Sequence, residues 1–280
     1  MLLDIEPLKK IIRLTLQTGY IKTSSAPVSL LLIANPESAK TSAMELFKVK
    51  GTYTTNNITQ SVLVSKILPM IENEKLKHLI IPDILNCIEK SKTTREGFVN
   101  LIKSLIEEGI TSLDQFNVRT NKIYNPPIKC GVITGITSGS YNGYYNNLTQ
   151  RTEGGLKHYW KKIGLLSRFV PFSYKYELSK VIKIFELIEK DNANAKENQK
   201  ETIKRTVTEI EGNEKLFNQL QMVSVKVGQE VEAYGIRIQK NLQLLAKANA
   251  LLRNSPKVEQ EDIQAILDLS NWINYDFNPL

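Results

Sequence analysis

Short apolar runs alternating with helical periodicities predict an α/β fold, a parallel sheet with helices on both faces, followed by an all-helical domain. Two observations carry that expectation. Up to about residue 175, strand-like and helix-like segments take turns; from Tyr174 onward no strand pattern survives. The length of 280 residues, with 41% apolar and 24% charged side chains, suits two domains with a sizeable core. The expected division is an α/β base over residues 1–175 and a helical domain over 176–280.

Each element follows from its local pattern. Residues 1–18 read as an amphipathic helix, with Leu8, Ile11, Ile12 and Leu16 on one face and Gly19 ending it. Residues 28–33, between Pro27 and Pro36, form a continuous apolar run of the kind a strand buried on both faces requires. A loop over 34–38 leads to a helix over 39–47. Further strand-like segments lie at 48–53, 79–82, 130–137 and 166–172, with helical patterns at 58–71, 94–108 and about 152–163. Beyond them, helices are expected at 176–190, about 196–211, 214–232, 236–253 and 259–274. In the last two, Ile238, Leu242, Leu245, Asn249 and Leu252, then Ile263, Ile266, Leu267, Ser270 and Ile273, each make one stripe.

Several classes fall away. The longest apolar run, residues 28–34, is too short to span a bilayer, and the amino-terminal residues lack the basic and apolar regions of a signal peptide. A soluble, cytoplasmic protein without a membrane partner is expected. Two cysteines (Cys87, Cys130) and two histidines (His78, His158) make neither a disulfide framework nor a zinc set. The net charge of +8 is uneven. Residues 1–175 carry 23 basic and 13 acidic side chains, a net +10, and the rest carry 14 and 16, a net −2. Such asymmetry suggests that the first part faces an anion, with nucleic acid and nucleotide as the leading candidates.

The chemistry-bearing stretch is Ala34-Asn35-Pro36-Glu37-Ser38-Ala39-Lys40-Thr41, followed by Ser42. It sits between a buried strand and a helix, where the phosphate-binding pattern G-x-x-x-x-G-K-[ST] belongs. Both glycines are alanine, while the Lys-Thr pair is intact. In such a loop the free N–H groups at the helix start hold phosphates, Lys40 would reach the β- and γ-phosphates of ATP, and Thr41 would ligate Mg²⁺. The methyl groups of Ala34 and Ala39 crowd the approach and disfavour positive φ, so weakened binding is expected. Asp83 closes an apolar strand and is a second candidate Mg²⁺ ligand. The Glu that would polarise water after it is replaced by Ile84; Glu107 or Glu108 could substitute.

Two later signals are Gly164-Leu165-Leu166-Ser167-Arg168-Phe169 and Ala233-Tyr234-Gly235-Ile236-Arg237-Ile238. With them, the order of parts over about residues 27–275 resembles the AAA+ ATPases, most closely the minichromosome-maintenance-like helicases and related ATPases of phages and mobile elements. The resemblance implies a P-loop AAA+ base and a helical lid. It also implies ATP and Mg²⁺ bound at subunit boundaries in a homo-oligomer, a hexameric ring, acting on nucleic acid in viral or mobile-element DNA replication. Arg168 then corresponds to an arginine finger supplied to the neighbouring subunit, Arg237 to the second sensor, and Thr137 (or Thr134) to the first. The segment Lys257-Val258-Glu259-Gln260-Glu261-Asp262-Ile263 matches the family's approach to the final helix. The missing loop glycines and the Ile at position 84 are departures. They leave open a catalytically weak or inactive ring serving as a loader, clamp or DNA-binding module.

Nucleic-acid contacts are expected in three places. The stretch 112–123, with Arg119 and Lys122, falls where the related helicases carry a DNA-facing hairpin. Residues 141–147 offer tyrosine rings on a polar loop, and residues 157–162 interleave Lys157, Lys161 and Lys162 with His158, Tyr159 and Trp160. Rings that stack and lysines that neutralise phosphates suit single strands; tyrosines at a subunit contact and a solvated lysine face are the alternative.

Overall fold

A computed structural model of the chain describes residues 5–114, 122–142, 145–147, 150–152, 155–189, 202–275 and 277–280. In chain order, helix α1 (Glu6–Gln17) precedes β1 (Leu30–Ala34), α2 (Lys40–Glu45) and β2 (Gly51–Thr54). A helical stretch follows as α3 (Gln60–Val62), a π-helical turn (Leu63–Ile67) and α4 (Leu68–Glu72), leading into β3 (Leu76–Ile81). Then come α5 (Leu85–Ile88), α6 (Lys92–Leu105), β4 (Ile110–Ser112), β5 (Ile123–Ile128), β6 (Gly131–Thr137) and α7 (Ser138–Asn142). The hairpin β7 (Tyr145–Asn147) and β8 (Gln150–Thr152), helix α8 (Gly155–Lys162) and β9 (Val170–Lys175) complete the first part. The remainder holds α9 (Leu178–Glu189), α10 (Glu214–Phe217), α11 (Gln221–Glu230), α12 (Ile236–Arg253), α13 (Gln260–Leu269) and β10 (Asn278–Pro279).

The expected α/β class is present: six strands pair in the order β10-β9-β1-β6-β3-β2, all parallel, and helices flank them. β1 occupies the interior and every one of its five residues is buried, which is what its unbroken apolar run requires. The chain leaves β1 for the far edge strand β2, fills back through β3 and β6, and only then lays β9 on the other side of β1. That reversal opens a crevice beyond the carboxyl end of β1, the usual ligand position in open α/β sheets. One continuous apolar core runs from α1 through the sheet to α12 and α13. No helix among the described residues is long and apolar enough to cross a membrane.

Several expectations need correction. The segment 166–172 is not one strand. Gly164 takes φ 67°, Arg168 and Phe169 bond back to Leu165 and Leu166, and a 3-10 turn (Leu166–Arg168) precedes β9. Residues 202–211 are extended rather than helical, because Thr208 bridges to Ile21 and Glu211 to Lys257. The helix expected over 214–232 breaks at a 3-10 turn (Asn218–Leu220), and the one over 259–274 stops at Leu269. The carboxyl-terminal half is not purely helical either, since β10 returns to pair with β9 and the Lys180 ammonium holds the Leu280 carbonyl at 3.1 Å. Asp262, in the segment that leads into the final helix, is fully buried and bonded by Asn249 and Arg253.

Within the sheet, His78 on β3 is 1% exposed, with Nε2 3.2 Å from the Val28 carbonyl. Burial lowers its pKa from 6.5 to about 4, against the smaller opposing effect of that contact. The folded state therefore keeps the ring neutral while the unfolded chain binds a proton near pH 6.5. Stability is complete above that pH and declines as pH falls to about 4, by about 3 kcal/mol. Urea titrations between pH 7 and pH 4 check this, and the His78→Gln variant is expected to lose that part of the slope.

Candidate nucleotide site at the carboxyl edge of the sheet

All six strands being parallel, their carboxyl ends share one edge. Ala34 lies opposite Thr137 on one side and Tyr174 on the other, and Ile81 lies opposite Thr134. The loop 35–39, Pro82 with Asp83, Thr137 with Ser138, and Tyr174 to Tyr176 thus converge around one point. Sequence spacing alone did not bring these residues together; the strand order does.

Lys40, the first residue of α2, curls back over the loop. Its ammonium donates to the carbonyls of Ala34 at 2.9 Å and Asn35 at 2.8 Å, and to Ser38 Oγ at 3.0 Å. Burial lowers its pKa from 10.5 to about 8, and the Asp83 carboxylate opposes that shift. Ser38 is buried, and its carbonyl accepts two phenols, Tyr174 at 2.8 Å and Tyr176 at 3.0 Å. Burial raises both phenols' pKa, so they remain donors. Two tyrosines at alternate positions of a strand end point the same way, a period-2 signal that the sequence reading missed. Ser138 was also missed; its hydroxyl donates to Asn35 Oδ1 at 2.5 Å and ties β6 to the loop.

The loop takes the conformation that glycine would favour. Glu37 has φ 59° and Ala39 has φ 62°. A left-handed alanine costs about 1–2 kcal/mol, so Ala39→Gly relieves strain and removes a methyl from the loop. After allowing for glycine's greater freedom in the unfolded chain, the variant is expected to gain about 0.5 kcal/mol of stability and to bind nucleotide several-fold more tightly. Thermal melts and equilibrium titration with ATP read the two effects. Asn35, Pro36, Glu37, Thr41 and Ser42 are exposed around the loop.

Asp83 uses one carboxylate oxygen to accept the Leu85 N–H at 3.0 Å, which leaves Oδ2 without a hydrogen bond among the described residues. With the exposed Thr41 hydroxyl it makes a sparse oxygen set. No group of three or more His, Cys, Asp or Glu that could hold a metal occurs among the described residues. A hydroxyl and one carboxylate fit Mg²⁺, which keeps several waters and leans on phosphate oxygens. Thr137 Oγ1 donates to Ser140 Oγ at 2.9 Å at the mouth of the site, whereas Thr134 is buried and bound to the Ile81 carbonyl. Of the two sensor candidates, only Thr137 lies at the edge. A cleft of about 580 Å³ opens beside Thr41, bounded by Glu45, Lys48, Asn56 and Pro82. A larger one, about 760 Å³, lies between residues 18–27 and 123–129 and contains no residue of the loop.

Arg168 and Arg237 are not at this edge. Val170 lies opposite Leu30 and Tyr174 opposite Ala34, so Arg168 precedes the amino end of β9. At 3.3 Å per residue it is roughly 15–20 Å from the loop along the strand direction. Leu165, Leu166 and Phe169 are buried, while Ser167 and Arg168 are partly exposed, the Arg168 side chain only 15% so. Arg237, in the first turn of α12, comes to the same place: Glu107 Oε2 lies 2.6 Å from Arg168 Nε, and Glu107 Oε1 contacts Arg237 Nε. The two arginines, Lys129, Lys240 and Glu107 line a cleft of about 290 Å³. Glu107 is therefore committed to arginines at the far edge, and Glu108 beside it is exposed there; neither replaces the missing Glu after Asp83. Ile84 itself is buried.

The nucleic-acid candidates fare unevenly. Arg119 lies outside the described residues. Lys122 pairs with Glu72 at 2.6 Å and sits 5.2 Å from the Tyr124 ring centre, at the base of the antiparallel β4–β5 pair that forms where a hairpin was expected. Lys161 pairs with Glu232 at 2.6 Å, and Lys162 is exposed. Tyr141 is not a free stacking ring: it is fully buried, stacked 5.9 Å from Tyr275, with the Lys157 ammonium 5.8 Å from its ring centre. Comparison with models of known protein families and with curated proteins finds no match for this chain.

Proposed function

We propose that the chain is a P-loop ATPase of the AAA+ type, which binds Mg-ATP on the loop 34–42 and works as a homo-oligomer on nucleic acid. The observation that carries the reading is the placement of Lys40. Its ammonium rests on loop carbonyls at the carboxyl end of the central strand, with Asp83 and Thr137 on the two following strands of the same edge. Bound triphosphate would exchange those carbonyls for phosphate oxygens, a stronger charge-assisted contact. α2 has only six residues, so the lysine contributes more than the helix dipole. Mg²⁺ would be held by Thr41 and Asp83 and would neutralise the phosphates.

The arginines supply the argument for an oligomer. A cationic cleft at one edge and an anion-binding loop at the other cannot meet within one chain, but they meet head to tail between copies. Both Arg168 and Arg237 then serve a neighbour's nucleotide. The net +10 of residues 1–175 supports nucleic acid as the substrate. Filter binding of labelled single-stranded DNA across a salt series tests that part: retention that falls steeply with salt supports it, and no retention at low salt contradicts it.

A second reading has its own observation. Ile84 is buried where a water-polarising carboxylate belongs, and Glu107 is engaged elsewhere. General-base assistance is worth about 10²–10⁴ in rate, so a ring that binds ATP and turns it over slowly, acting as a loader or clamp, is the alternative.

A further inference from the structure

We propose that Glu107 is a positioning residue that yokes Arg168 to Arg237 and sets how both guanidinium groups face a neighbouring subunit. The inference rests on the reading of these arginines as groups that serve a nucleotide bound to another copy.

The carboxylate is shared between the two arginines. Oε1 accepts a hydrogen bond from Arg237 Nε, whereas Oε2 forms a close ion pair with Arg168 Nε, 2.6 Å away, without hydrogen-bond alignment. Both contacts take the inner edge of a guanidinium. Arg168 Nη1 is held by the Gly164 carbonyl, and Arg237 Nη1 donates to Ser167 Oγ at 3.3 Å. Nη2 of each arginine has no partner among the described residues. With Nη2 uncommitted on each guanidinium, the pair offers two charged donors to an anion from outside the chain.

Glu107 is placed to impose this geometry. It follows the end of α6, Ile106 before it is buried, and Gly109 two residues on takes φ 91° while its N–H bonds to Ser104 O at 2.8 Å. A side chain at Gly109 would come within 2.7 Å of Pro127, so this turn has little room to shift. Arg237 is held from the other side. A Cβ on Gly235 would lie 2.2 Å from the Ser224 carbonyl, so the start of α12 packs directly on α11.

The electrostatics need the carboxylate. Lys103, one turn before Glu107, has a lowered pKa from burial first and then from Arg168, with Glu107 opposing. Arg237 is a cation in the first turn of a helix, where the dipole disfavours it. Without Glu107, these cations and Lys240 would repel one another and the two arginines would splay. Folding does not depend on the yoke, because Ile238, Leu242 and Leu245 already bury α12 in the core.

The test uses the full chain with Glu107→Gln, which keeps the shape and removes the charge, beside Glu107→Asp, which keeps the charge on a shorter stem. Three quantities are read: ATP turnover per subunit at high protein concentration, equilibrium ATP affinity, and hydrogen exchange of amides 164–168 and 236–240. Glu107→Gln is expected to lose about 10- to 100-fold in turnover, to hold ATP affinity within about twofold, and to exchange faster in those two segments alone. Glu107→Asp is expected to recover part of the turnover. Unchanged exchange at both segments overturns the proposal, as does faster exchange spread over the whole chain, which would make Glu107 a general structural residue. Selective exchange in a protein whose unmodified form shows no turnover would uphold the yoke and remove the ATPase reading.

Discussion

Lys40→Ala is expected to weaken ATP binding by about a hundredfold or more without lowering the melting temperature. Truncating a charged group that contacts a buried anion costs about 2–5 kcal/mol, and 2.7 kcal/mol is a hundredfold. The fold does not depend on the ammonium, because burial already disfavours its charge and takes its pKa down to about 8. The same shift gives a pH signature. The amine must carry its proton to hold phosphate, so wild-type affinity declines as pH rises through about 8, and the variant lacks that decline. Isothermal titration at pH 7 and pH 9 reads both effects. Equal affinity in the two proteins would remove Lys40 from the site.

Arg168→Ala is expected to reduce turnover by about 10³–10⁵, the contribution of an arginine finger in P-loop enzymes, with ATP affinity nearly unchanged. The spatial argument makes a stronger version available. Arg168 lies at the amino end of β9 and Lys40 at the carboxyl end of β1, on opposite edges of one sheet. In a mixture of Lys40→Ala and Arg168→Ala chains, some boundaries would join an intact lysine from one copy to an intact arginine from the next. Activity is therefore expected to return on mixing two inactive preparations. An arginine that served its own chain's loop would give no such recovery.

How far the sequence revealed this depends on what kind of force shaped each part. β1, β3 and β6 were legible because a strand covered on both faces must be largely apolar, as residues 30–34 and 79–81 are and most of 130–137 is. The loop 34–39 was legible as a local strand-to-helix pattern, and its left-handed Ala39 sits where a phosphate-binding pattern calls for glycine. Tyr174 and Tyr176 were not, since their role as clamps on Ser38 exists only once β9 lies beside β1. Glu107 was read as a substitute base near Asp83; tertiary placement puts it at the opposite edge with the arginines. Residues 202–211 misled because their local pattern does not show that Thr208 and Glu211 bridge to distant backbone. Tyr141 was legible only as a ring in a polar stretch, because the core it joins and the Tyr275 ring it stacks on, 134 positions later in the chain, are distant in sequence.

The central claim is that the nucleotide site is completed by a second copy. Steady-state ATP turnover per subunit, measured across a protein concentration series with and without single-stranded DNA, tests it most directly. The account predicts a rate per subunit that climbs with concentration and rises again when DNA is added. A rate independent of concentration would contradict it, because each chain would then be carrying a whole site of its own.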